Sequence, residues 1–417
     1  MPTVFAVPRV ILPALAPLRV AARLGVVARL MATLVATLLL AAGAAVPATA
    51  EEPVRIGLLV PFSGPFTDTA AQIDNGVRLY MKEHGDTVAG RRIEVIRRDT
   101  TGTPDSAKRL AQELIVRDHV DILAGFSLTP EALAVAELSA EAKKFMVIMN
   151  AATSFLTTKS PYIARVSVTL PQTCETLGTY AFKSGVRKVY TMVSDYAPGL
   201  DAEAAFQRAF KAAGGEIVGS VRMPITTVDF APFVQRVKDV EPEAIFVFVP
   251  GGSQPAALAK GLVERGLDPK RIKVMGQGEI TEESALAGMG DVAVGIVTAF
   301  HYDLHHDSKA NAAFVSAYNA EFKRNPDFFA VGGYDGMHLV YEALRKSGGK
   351  ADGDSLIAAA KGTAFESPRG PVAIDPDTRD VVQTIYIRRV EKVGGRVQNV
   401  EFERFENVKD PVKARAR

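Results

Sequence analysis

The chain has 417 residues, 47% hydrophobic and 23% charged, with 34 Gly, 24 Pro, one Cys and no Trp. That size and balance allow two or three domains with full cores and exclude collagen-like, disordered and disulfide-stapled chains. Lys plus Arg is 49 against 47 Asp plus Glu, so no broadly basic surface for nucleic acid is expected, and the lone Cys174 can build neither an internal disulfide nor a Cys-rich metal site.

The first 50 residues carry Arg9, Arg19, Arg23 and Arg29 and no Lys, Asp or Glu. An apolar run from Leu30 to Val46 and the small-residue triplet Ala48-Thr49-Ala50 follow. A positive region, an apolar region and a small-x-small site in this order read as a secretory signal peptide spanning 1–50. A membrane anchor is the competing reading, but the run is at the lower limit of a span and rich in Ala and Thr. No paired Arg and no Cys stands near the cleavage site, which argues against twin-arginine export and a lipid anchor. Cleavage removes four basic residues and no acidic ones, so the net charge turns slightly negative outside the cytoplasm.

From residue 54 the pattern alternates β-rich runs with amphipathic stretches. Strands are predicted over 54–61, 91–98, 121–125 and 145–150, with helices over 70–84, from Pro104 onward and over 131–143. A second series places helices at 172–184, 201–213, 231–240 and 254–265 between strands at 188–194, 216–221, 244–250 and 272–276. Helices at 308–322, 334–346 and 355–361 come next. A hairpin then turns at Gly394-Gly395, and the tail from Val408 reads as a frayed end. The fold class is α/β, with two doubly wound parallel-sheet lobes. Closure of two lobes on a small molecule needs several crossings, for which 163–169, 298–302 and 362–372 are the candidates. The lobes are then 51–168 plus 300–362 and 169–299 plus 363–417.

Two segments echo one another. VDILAGFSLTPEALA and EAIFVFVPGGSQPAALA both run strand, polar turn, proline and helix, with Pro130 and Pro255 placed in the first helical turn behind a hydroxyl or amide cap. Such turns lie at the carboxyl edge of a parallel sheet, where helix N-termini offer N–H groups to an anion, although most such turns hold nothing.

Catalytic motifs are missing. Gly251-Gly252-Ser253-Gln254-Pro255 lacks the last Gly of a nucleophile elbow, and Gly288-Met289-Gly290 follows a helix rather than a strand. His301, Asp303, His305, His306 and Asp307 crowd one segment and form the best metal candidate, with a solvated loop preferred over a zinc site. Cys174 has no His beside it and reads as an inert thiol. The expectation is a binding protein with no cofactor and no metal, against the alternative of a zinc enzyme built on the His301–Asp307 cluster.

VRIGLLVPFSGPFTDTAAQIDNGVRLYMKE, RRDTTGTPDSAKRLAQELI, AGFSLTPEALA, MNAATS and GGYDGMHLVYEAL, taken in order, resemble the type I periplasmic substrate-binding proteins of ABC transporters, closest to the branched-chain amino-acid (Leu/Ile/Val) branch. The resemblance implies two lobes joined by three crossovers, a periplasmic monomer, a small-molecule carboxylate ligand and ABC transporter permease subunits as partners. It places Thr129, with Ser127 beside it, and Ala151 and Thr153 at the ligand carboxylate. Tyr196, Gly252 and Glu279 close from the second lobe, and Glu279 accepts the ligand's ammonium. Thr69 stands where the family commonly has an aromatic residue, a loss for which Phe66 can compensate. The expected ligand is a branched-chain or related amino acid. The LTPEALA and NAATS turns also resemble binders of aromatic and other organic acids, which need no ammonium acceptor, and a sensory module is the further alternative.

Overall fold

The computed structural model describes residues 52–416 apart from residue 268, with four isolated positions among the first eight, so the expected signal peptide lies outside the described residues. β1 (Val54–Val60) is apolar on both faces and takes the middle of a six-stranded sheet. Its neighbours are β2 (Thr87–Val88), β3 (Arg91–Asp99), β4 (Ile122–Gly125), β5 (Phe145–Ile148) and β6 (Ile163–Arg165), in the order β2-β3-β1-β4-β5-β6. Every pairing is parallel except β2 with β3. Strands buried on both faces need helical crossovers, supplied by α1 (Thr67–His84), α2 (Pro104–Val116) and α3 (Thr129–Glu141).

The second sheet has nine strands: β7 (Lys188–Ser194), β8 (Glu216–Met223), β9 (Ala244–Phe248), β10 (Lys273–Gln277), β11 (Val297–Phe300), β12 (Ala364–Ser367), β13 (Gly370–Ile374), β14 (Val381–Val393) and β15 (Arg396–Val408). β7 to β11 pair in parallel, and the late strands join antiparallel through β14, so the sheet is mixed. The hairpin forms where the sequence places it, with Val393 opposite Arg396. Gly394 and Gly395 both have positive φ, 57° and 84°, as a two-residue turn matched to strand twist requires.

α4 (Leu170–Lys183), α5 (Ala197–Ala212), α6 (Ala231–Val240), α7 (Gln254–Glu264) and α8 (Glu283–Met289) serve this second sheet. α9 (Lys309–Phe322), α10 (Phe328–Lys346) and α11 (Gly353–Ala360) return to the first core, where Phe314, Tyr318, Val340 and Leu356 meet Ile56, Ile73 and Val147. The chain therefore passes between the two sheets through 166–169, 301–308 and 361–363. α1 and α10 pack backbone to backbone. A Cβ added at Gly76 would lie 2.0 Å from Ala330 O, and one at Gly333 2.1 Å from Ile73 O, so no larger residue fits at either contact.

Two local expectations are corrected. Leu128, not Thr129, takes the cap position of α3, because the Glu131 carboxylate accepts the Leu128 N–H at 3.2 Å and leaves the Thr129 side chain to point elsewhere. The tail is not frayed. Asp410 caps α12 (Pro411–Arg415) by accepting the Val412 and Lys413 N–H groups, Ser154 Oγ donates to Asp410 at 2.6 Å, Lys413 pairs with Asp380, and Arg415 pairs with Glu175. A Lys/Arg-rich end looks solvated in sequence until its buried anions are known.

Candidate functional site

The carboxyl edges of the two sheets face each other across a cleft with about 540 Å³ of unfilled space, its mouth included. β4 ends at Gly125, and the turn to α3 brings Ser127, Leu128 and Thr129 to the cleft. The turn after β5 brings Asn150, Ala151 and Ala152. α1 contributes Thr69, with Phe66 just before it, and α10 contributes Phe328 and Phe329. From the other side come Tyr196 and Pro198 after β7, Phe248, Pro250 and Gly251 from β9 and its turn, and Gln277 and Glu279 from the end of β10.

Ser127 is buried, and its Oγ has no hydrogen-bond partner. Asn150 Nδ2 donates to Ser127 O at 2.7 Å, which fixes the turn. Thr129 Oγ1 and Thr153 Oγ1 stand 2.9 Å apart, so these two hydroxyls satisfy each other. Thr153 is fully buried behind the lining rather than on it. Ala151 lines the cleft, but its N–H is already donated to Phe126 O at 3.0 Å. The first turn of α3 has N–H groups with no acceptor within the helix, Pro130 having none to offer.

On the facing wall, Glu279 is enclosed by protein yet keeps part of its surface open to the cavity. Gln277 Oε1 accepts the Glu279 N–H at 2.8 Å, and Glu279 Oε1 accepts the Gly251 N–H at 3.1 Å. Enclosure pushes its carboxyl up to about 7, against the Gly251 hydrogen bond. Burial also lifts Tyr196 well above the usual tyrosine range, helped by the neighbouring Glu279 charge. Gly252 stands off the lining, donates its N–H to Glu282 Oε1 at 3.1 Å, and comes so near the first lobe that an added Cβ would lie 3.5 Å from Pro65 O. Behind it Glu282 is buried with Oε2 unpartnered, and its carboxyl is raised by burial and by Asp327 and Glu279.

Sequence reading missed Phe248, Gln277, Phe328 and Phe329. Phe248 ends a strand that reads as core. Phe328 and Phe329 open α10 six residues before its predicted start, under the Asp327 cap. The His301–Asp307 segment does not gather: His301 is buried with Nδ1 unpartnered, Asp303 faces Arg388 at 3.4 Å, and His306 faces Glu401 at 3.0 Å. Among the described residues no group of three or more His, Cys, Asp and Glu can hold a metal. Cys174 is buried, and burial pushes its thiol up.

A family model described as periplasmic binding protein matches residues 53–395. The chain belongs to the periplasmic binding protein family. A protein of Brucella melitensis biotype 1 described as Leu/Ile/Val-binding protein homolog 6 is 43% identical over 372 residues, covering 88% of this chain and 95% of that one. A solute-binding protein of an ABC transporter from Rhodopseudomonas palustris BisB5, solved with 3,4-dihydroxybenzoic acid, is 55% identical with a TM-score of 0.84, covering 87% of this chain and 99% of that one. Another from Rhodopseudomonas palustris HaA2, solved with p-hydroxybenzoic acid, is 40% identical with a TM-score of 0.85, covering 87% and 100%. This periplasmic binding protein has no described helix long and apolar enough to cross a membrane.

Proposed function

We propose that this protein is the solute-binding component of an ABC transporter and that it captures an aromatic carboxylate. The carrying observation is the lining itself. Phe66, Tyr196, Phe248, Phe328 and Phe329 line the cleft, no Lys, Arg or His lines it among the described residues, and the first lobe adds an unpartnered Ser127 hydroxyl. The ligand carboxylate sits on Ser127 Oγ and the first-turn N–H groups of α3, which neutralise it without the cost of burying a cation. The ring fills the aromatic slot, and the second lobe closes over it with Tyr196, the Gly251–Gly252 turn and Glu279. The two aromatic-acid complexes at 55% and 40% identity support the same ligand class.

Sequence reading put a branched-chain amino acid first by a small margin; the aromatic lining supports placing the aromatic acid ahead of it. The amino-acid reading keeps one observation of its own, the enclosed Glu279 carboxyl, which an ammonium would satisfy. The proposal also covers a cleaved signal peptide over 1–50, a monomer working in the periplasm with lobes of 51–168 plus 300–362 and 169–299 plus 363–417, membrane permease subunits as partners and no catalysis.

A thermal-shift screen against aromatic carboxylates and against leucine, isoleucine and valine tests the reading, because a ligand at 100 times its Kd adds about 2.7 kcal/mol. Benzoates are expected to raise Tm. A shift with the amino acids alone overturns the aromatic reading, and no shift with any carboxylate overturns the site.

A further inference from the structure

We infer that Glu279 is the specificity-determining residue for a ring hydroxyl: its carboxyl accepts a hydrogen bond from the 4-hydroxyl of an aromatic carboxylate whose acid end is held at Ser127. The inference rests on the aromatic-acid reading and goes one step past it, from ligand class to substitution pattern.

Three observations carry it. The first is the asymmetry of the polar groups. The first lobe presents a donor, the Ser127 hydroxyl, buried and without a partner, while the second lobe presents an acceptor, the Glu279 carboxyl. The space between them is walled by aromatic rings. A flat molecule that is anionic at one end therefore needs a donor at the other, and benzoate alone leaves that end unfilled. The second is rigidity. Gln277 Oε1 holds the Glu279 N–H at 2.8 Å, the Gly251 N–H holds Oε1 at 3.1 Å, and a Cβ added at Gly251 would lie 3.2 Å from that same Oε1. The two turns interlock, so the carboxyl is fixed before the ligand arrives, and a preorganised acceptor discriminates more strongly than a mobile one.

The third is charge. Among the described residues no Lys, Arg or His lines the cleft, and the buried Glu282 carboxyl lies beyond the Gly251–Gly252 turn, where Gly251 faces both acids. Glu279 thus has acids and the Tyr196 hydroxyl for charged and titratable neighbours and no cation. With its carboxyl held up to about 7, it meets a neutral ligand hydroxyl as an acceptor in both protonation states.

Calorimetric titration of ligand-free protein with benzoate, 4-hydroxybenzoate, 4-methoxybenzoate and leucine tests the inference. 4-Hydroxybenzoate is expected to bind about 10–100-fold more tightly than benzoate, the range for a hydrogen bond to a charged group. 4-Methoxybenzoate, which keeps the oxygen and loses the donor, should fall with benzoate or below it. In Glu279→Leu the ratio of 4-hydroxybenzoate to benzoate affinity should drop to about threefold or less, with Glu279→Gln in between because its amide oxygen still accepts. Unliganded melting curves of both variants check that they fold. A ratio near one in the unsubstituted protein, or a ratio that survives Glu279→Leu, overturns the inference and leaves the aromatic-acid reading standing. Failure of every aromatic acid while leucine binds overturns that reading instead.

Discussion

The cleft and the face behind it treat buried charge in opposite ways. Behind the cleft, Arg165 is fully buried, and every direction of its guanidinium is used. It donates to Ala151 O at 3.0 Å, Thr153 O at 2.8 Å, Ser154 O at 3.1 Å and Asp380 Oδ1 at 2.7 and 2.9 Å. Asp380 in turn takes Lys413 from α12. In the cleft, by contrast, Glu279 keeps an unfilled acceptor and Ser127 an orphaned hydroxyl, and behind the Gly251–Gly252 turn Glu282 keeps an orphaned oxygen. The same turn, 150–154, belongs to both regions: its backbone carbonyls are tied to Arg165, and Ala151 and Ala152 line the cleft. Saturated polar groups fix the frame; unsaturated ones are what a ligand completes.

The largest effect expected from this contrast is on the saturated side. Arg165→Met removes the cation beneath Asp380 and three carbonyls, and should destabilise the protein by about 3–5 kcal/mol, the usual loss when one partner of a buried pair is deleted. Urea unfolding measures it. A loss below about 1 kcal/mol would mean that the network is decorative and the contrast mistaken.

On the unsaturated side, Ser127→Ala should separate binding from folding. The hydroxyl has no protein partner, so its removal should leave unliganded stability within about 0.5 kcal/mol while weakening carboxylate affinity roughly 10-fold or more. Equal losses in melting and in binding would place Ser127 with Arg165 rather than with the ligand.

Much of the frame was legible because it follows from periodicity. The strand-to-helix turns at Ser127–Thr129 and Ala151–Thr153 are marked by Pro130 and by small residues, and the hairpin by Gly394-Gly395. What was illegible depended on partners far away in sequence. Arg165 sits in a three-residue strand with nothing to announce it, and its anion is 215 positions away. The α12 tail looked solvated because Asp380 and Glu175 are invisible to local pattern. Phe328 and Phe329 read as the approach to a helix, and only the packing of α10 on α1 turns them toward the cleft.

The contrast also fixes the sign of the pH response. Glu279 is raised to about 7 and Asp327 to about 8, each chiefly by burial, and Glu282 is raised by burial and by Asp327 and Glu279. The folded protein then holds protons that the unfolded chain releases at the ordinary values of 4.5 for the glutamates and 3.8 for Asp327. From Glu279 and Asp327 the unliganded stability is fully present below the unfolded values of 4.5 and 3.8, is lost as pH rises to about 8, and is constant above, and Glu282 contributes in the same direction. Glu131 and Glu283, raised to about 7, and Asp201, raised to about 6, act in the same direction, whereas Asp375, lowered to about 2, acts only in acid. Glu282→Gln should flatten the Tm profile between pH 5 and 8. An unchanged slope would assign the response to the other raised carboxyls.

The smallest expected effect lies where the two regions meet. Ser154 donates its N–H to Asp201 at 2.7 Å and its hydroxyl to Asp410 at 2.6 Å, so one residue at the end of the ligand turn is held both by α5 and by the cap of α12. Ser154→Ala keeps the first bond and loses the second, leaving Asp410 with its two N–H donors from the cap. The expected cost is about 1 kcal/mol in stability. If the turn transmits that loosening to Ala151 and Ala152, ligand dissociation should quicken by a few-fold while association is unchanged. Stopped-flow kinetics distinguish the cases. A loss of stability with no change in dissociation rate would confine the saturated network to the frame, and a change confined to the association rate would show that Ser154 gates closure rather than holding the turn.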